Sequence, residues 1–111
     1  MGSPYEDFKA ITDQYYTDWK MPSIQVFIAL LSKYGIKLRG KDGKLHEATF
    51  SVPKTEKDAL VLGMRYKKND DSYSEDLFLF RKNQPIQVGY RGAIEQVLPE
   101  YTGTHKRTPT T

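Results

Sequence analysis

The hydrophobic period of this chain changes once between Ser23 and Val52, and that change constrains the fold more than any other feature. From Ser23 to Tyr34, Ile24, Phe27, Leu31 and Tyr34 repeat at helical spacing, and Val26, Ile28 and Leu30 widen the stripe. Only Gln25, Ser32 and Lys33 are plainly polar, so such a helix must be largely buried. Gly35 then supplies a left-handed C-cap. Beyond it the period falls to two. Ile36 and Leu38 alternate with Lys37 and Arg39, and the stretch from Gly40 to Gly43 turns the chain. Ala48, Phe50 and Val52 then alternate with Thr49 and Ser51. Asp42-Gly43 is among the stronger short hairpin signals. The segment therefore predicts a buried helix over 23–34, followed by a hairpin carrying Lys37, Arg39, Lys41 and Lys44.

The flanking sequence sets the fold class. Ser3, Pro4 and Glu6 form a capping box, and Tyr5, Phe8, Ile11, Tyr15 and Trp19 follow at helical spacing. This predicts a first helix over about 4–18, broken before Pro22. Downstream, Leu60, Leu62, Met64 and Tyr66 alternate with Val61, Gly63 and Arg65, as in a strand. Leu77 to Phe80 is apolar on both faces, as in a central strand covered on both sides. Ile86, Val88 and Tyr90 make a further strand, and 93–98 fits one or two helical turns. The order predicts an α+β fold: two N-terminal helices packed on an antiparallel sheet of about five strands, with a short C-terminal helix. The 111 residues fit one domain over 1–101, and the polar run 102–111 is expected to be a disordered tail.

Composition argues against many activities. There is no cysteine, so no disulfide scaffold, thiolate zinc site or thiol nucleophile can form. The longest apolar run, Val26 to Leu31, is far below the roughly 20 residues of a membrane span. No secretory signal pattern opens the chain, and a cytoplasmic protein is expected. His105 lies in the predicted tail, and His46 lies on a predicted strand among polar neighbours, where a histidine is usually a solvated surface residue. The acidic pairs Asp70-Asp71 and Glu75-Asp76 lack the spacing of a calcium loop. No catalytic, metal or cofactor motif is present, and a non-enzymatic protein without cofactor or metal is expected. The two G-x-x-G patterns, 40–43 and 89–92, are flanked by strand patterns and read as turns, whereas a KH loop joins helices.

Charge carries the functional expectation. The net charge of +3 is unevenly spread: residues 36–68 hold nine basic against four acidic side chains, and residues 69–80 hold four acidic and none basic. Cations interleaved with aromatics suit a nucleic-acid surface, where phosphates meet the cations and bases stack on the rings. The candidate contacts are Lys37, Arg39, Lys41, Lys44, Arg65, Lys67 and Arg81, with Tyr66 and Tyr90 for stacking. The strand alternation nonetheless favours a core position for each tyrosine taken singly. A helix, an apolar helix and a basic hairpin over residues 5–52 also resemble a winged-helix module. Helix 2, however, offers few base-reading side chains, and the later strands exceed a wing. The alternative expectation is a protein-interaction module using the acidic 70–76 loop, an exposed sheet edge or the Tyr-rich first helix. Convergence of the cations on one face separates the two readings.

Overall fold

The computed structural model describes residues 3–18, 23–38, 45–52, 57–67 and 70–98. Helix α1 spans Pro4–Asp18 and α2 spans Ile24–Lys33. Strands β1 (Leu45–Ser51), β2 (Ala59–Lys67), β3 (Tyr73–Arg81) and β4 (Gln87–Gly89) follow, and α3 covers Arg91–Val97. The strands form one antiparallel meander in the order β1-β2-β3-β4. The fold is thus α+β, with two helices on an antiparallel sheet and a short C-terminal helix.

Local chemistry explains the helix ends. The Glu6 backbone N–H donates to Ser3 Oγ at 3.2 Å, which caps α1. Gly35 takes φ +84, the left-handed conformation that glycine reaches without a Cβ clash. Gly35 N–H donates to Ser32 O at 3.0 Å and Ile36 N–H to Leu31 O at 3.0 Å, the paired bonds of a Schellman stop. The two helices are also pinned by charge. Asp7 Oδ2 accepts from Lys33 Nζ at 2.8 Å and from the Tyr34 hydroxyl. These two hydrogen bonds, that of Lys33 first, hold the Asp7 carboxyl below its ordinary value.

The described residues hold four strands, one fewer than the period predicts. Residues 36–38 form no strand. Ile36 and Leu38 are half-buried against the helix–sheet core, while Lys37 is exposed. Their alternation is satisfied by packing against that core and needs no ladder. The proposed hairpin and wing therefore lack their first strand. The predicted turn at Asp42-Gly43 lies outside the described residues, as do the predicted tail and Trp19. In exchange, β3 begins at Tyr73, inside a stretch that reads as polar turn.

The pleat divides the sheet into two faces. On one face, Ala48, Phe50, Leu60, Leu62, Met64, Phe78 and Phe80 pack with Tyr5 and Phe8 of α1 and Ile24, Phe27, Leu30 and Leu31 of α2. On the other face, Ala59, Val61, Leu77 and Leu79 pack with Ile94 of α3 and with Leu98. Leu77 to Phe80 is therefore buried on both sides, as its sequence predicts. Phe8 is the hub of the first core. Its ring centroid lies 4.5 Å from that of Phe80, 6.0 Å from Phe27 and 6.4 Å from Phe50. The last two pairs are edge-to-face, a favourable geometry for aromatic quadrupoles. Thr12, buried beside this core, donates its hydroxyl to Lys9 O at 3.0 Å. No buried side-chain polar atom among the described residues lacks a partner.

Candidate interaction surface

Of the residues proposed from sequence as a cationic surface, Arg65 and Lys67 share a face among the described part of the chain, and the other described ones do not join them. Lys37 is exposed on the segment after α2. Arg39, Lys41 and Lys44 lie outside the described residues. Arg65 and Lys67 project from the outer face of β2, beyond the part that α3 covers. The Arg65 guanidinium sits 4.3 Å from the centre of the Tyr73 ring, a cation–π stack, with Glu75 as its opposite residue on β3. Lys67 Nζ lies 3.8 Å from Asp71 Oδ1. Tyr66 points to the opposite, helix-bearing face, where its hydroxyl donates to Asp76 Oδ1 at 3.5 Å. Arg81 pairs with Ala59, six residues along β2 from Arg65 and so about 20 Å away at a strand rise of ~3.3 Å per residue. It donates from Nη2 to Val97 O at 3.0 Å and so ties down the end of α3. The ladder thus separates Arg81 from Arg65 and Lys67, and all three have neighbours within the fold.

Acidic groups share this outer face. Gly63 of β2 lies between Thr49 and Leu77 in the ladder. A Cβ at Gly63 would fall 2.9 Å from Glu75 Oε2 and 2.9 Å from Thr49 Oγ1. The absence of a side chain at Gly63 thus lets the Glu75 carboxylate fold inward across the sheet. Positive and negative groups are interleaved here, which suits a protein surface better than a polyphosphate.

The β4 edge differs in kind. β4 is the last strand in the order, with no described strand on its far side. Asn83, at φ 60, turns the chain into it. Ile86 packs partly against the helix-side core, but Val88 on the same face is 56% exposed and Tyr90 is 68% exposed. Tyr90 follows the end of β4, is extended at φ −94, ψ 173 as the N-cap residue of α3, and lays its ring beside Gly92. From Asn83 to Tyr90 no residue is charged. Edge strands are ordinarily blunted by charge, bulges or covering elements. β1 has such a bulge between Leu45 and Glu47, and the open stretch of β3 carries Glu75 and Asp76. β4 carries no charge and no bulge; it is kept short, at three residues, and follows Pro85.

Sequence reasoning singled out Tyr90 as an aromatic next to cations but passed over Val88. The missed signal was the eight-residue uncharged run around a short alternating strand. Among the described residues, no group of three or more His, Asp or Glu could hold a metal ion, and no helix is long and apolar enough to cross a membrane. No protein-family model, curated protein or solved structure matches this chain.

Proposed function

We propose that this chain is a non-catalytic protein-interaction module whose binding surface is the β4 edge. The observation that carries this reading is the exposure of Val88 on a terminal strand, with exposed Tyr90 just after it, in a run without charge. An edge strand offers unpaired backbone N–H and C=O groups to an incoming strand, and its side chains supply selectivity. Tyrosine is also enriched among residues that dominate binding energy. A nucleic-acid surface draws less support, because Arg81 lies far along the ladder from Arg65 and Lys67 and all three have local partners.

The test is co-purification from the native host by a tagged chain, with an untagged copy co-expressed and with nuclease added or withheld. A protein should be retained whether or not nuclease is present, and Val88→Lys should release it. The reading is overturned if nuclease abolishes retention, or if Val88→Lys leaves it unchanged.

A further inference from the structure

We infer that the partner on the β4 edge is a second copy of this chain, joined by antiparallel pairing of the two β4 strands about Val88. This rests on the reading of β4 as a protein-binding edge and names its occupant.

Three features favour self-pairing here. The first is register. With Val88 on the dyad, Val88 faces its own counterpart, and Ile86 faces Tyr90 of the second copy in both directions. Ile86 and Val88 lie on the face of the sheet that carries α1 and α2, while the Tyr90 ring lies over Gly92 at the start of α3. Val88 is exposed because those helices do not cover it. Pairing about Val88 therefore sets Val88 against its counterpart, with Ile86 of each copy on the same side of a continuous eight-stranded sheet, and such an apolar cross-strand pair is favourable. A slip of one residue would put Val88 opposite Gln87 and turn the two helix layers to opposite faces, so the register is specified.

The second feature is charge. A two-fold contact brings like residues close together, so any charge on the strand meets its own sign. The run 83–90 carries none. Self-pairing of the open β3 stretch, by contrast, would gather two copies of Glu75 and Asp76 with no basic residue between 69 and 80 to offset them.

The third feature is the edge itself. Alternate residues of a terminal strand aim both N–H and C=O outward, and a copy of the same strand satisfies them. β4 is three residues long, so the association is expected to be reversible and concentration-dependent rather than obligate.

Two measurements test this. In sedimentation equilibrium from about 10 μM to 1 mM, the mass should rise from 12.8 kDa toward twice that value. Val88→Lys should hold the chain at the monomer mass, with an unchanged circular dichroism spectrum because the position is exposed. The second measurement uses the lack of cysteine. Directly opposed residues of an antiparallel pair have Cα atoms about 4.5–5.5 Å apart, within disulfide range. With copper-phenanthroline and air as oxidant, Val88→Cys should form a disulfide-linked dimer at least tenfold faster than Tyr73→Cys, an exposed control on β3. A monomer throughout the range, a dimer unaffected by Val88→Lys, or equal cross-linking rates would each overturn the inference. If the chain stays monomeric but Val88→Lys still releases a different host protein, only the identity of the occupant fails. If Val88→Lys alters neither mass nor capture, the β4 reading fails as well.

Discussion

Replacing Phe8 by alanine tests the packing argument most directly. Phe8 is fully buried and its ring contacts Phe27, Phe50 and Phe80, so it joins α1 to α2, β1 and β3 at once. Removing a buried phenylalanine side chain costs ~3–5 kcal/mol, through lost transfer energy and the cavity left behind. This site should fall in the upper half of that range, because three aromatic contacts disappear together and each adds ~0.5–1.5 kcal/mol beyond burial. Against a domain stability of about 5–15 kcal/mol, that is a large fraction. With a urea m-value of about 1.5 kcal/mol/M, the midpoint should drop by about 3 M while m stays constant. Phe8→Leu keeps most of the volume and loses the ring geometry, so its cost should be near ~1 kcal/mol. Urea melts followed by circular dichroism measure both. An alanine cost below about 1 kcal/mol would refute the role of Phe8 as hub. Equal costs for alanine and leucine would show that volume recovery counts for nothing at this site.

The acid limb of stability should depend on the Asp7 cluster. The folded Asp7 carboxyl is held below its ordinary 3.8 by Lys33 and Tyr34, so its contribution is present above that value and is lost as pH falls through the lower folded value. Asp7→Asn should therefore flatten the loss of stability below about pH 4, measured as denaturant midpoints from pH 6 to pH 2. An acid limb as steep as that of the wild type would show that other carboxylates control it. Gly35→Ala should cost ~1–2 kcal/mol in the same melts, because alanine must adopt φ +84 to keep the helix stop, although no atom lies within 4 Å of the new Cβ. A neutral result would mean that the turn relaxes into another conformation. Arg81→Ala should speed hydrogen exchange in α3 with little change at β2, since the guanidinium holds Val97 O. Equal acceleration in both elements would mean that α3 does not open on its own.

The helices were the most legible part of the sequence. Capping chemistry at Ser3 and Gly35 marks their ends, and the periodicity of each apolar stripe is local. The double burial of Leu77 to Phe80 was equally visible, because a strand without polar alternation must be covered on both faces. The failure at 36–38 has a physical cause: a period of two reports alternating burial, and a coil lying against a core produces the same pattern as a strand in a ladder. The start of β3 was hidden for the opposite reason. Tyr73 and Glu75 lie on the outer face where α3 does not cover it, and Ser74 and Asp76 are half-buried polar residues on the other face, so the stretch reads as turn. The cations could be counted from sequence, but their separation could not. The distance from Arg65 to Arg81 is set by the β2–β3 register, which is a long-range pairing. Tyr66 and Tyr90 looked alike in sequence. They differ because Tyr66 lies on an interior strand and Tyr90 at the end of the sheet.

The doubly buried segment of β3 carries a consequence for aggregation. Leu77-Phe-Leu-Phe80 is a short run of high β-propensity without charge, proline or glycine, the kind of sequence that templates cross-β assembly when uncovered. Its flanks are charged, with Glu75-Asp76 before it and Arg81-Lys82 after it. Flanking charges act as gatekeepers, but here the two flanks have opposite sign. Parallel in-register stacking would align acid with acid and base with base at the ~4.8 Å fibril repeat, which is strongly unfavourable. Antiparallel stacking would instead place Glu75 opposite Lys82 and Asp76 opposite Arg81 in every layer. The gate is therefore closed to parallel in-register fibrils and open to antiparallel ones. The buried apolar contacts of α3, aided by the Arg81–Val97 tie, keep one side of the segment covered.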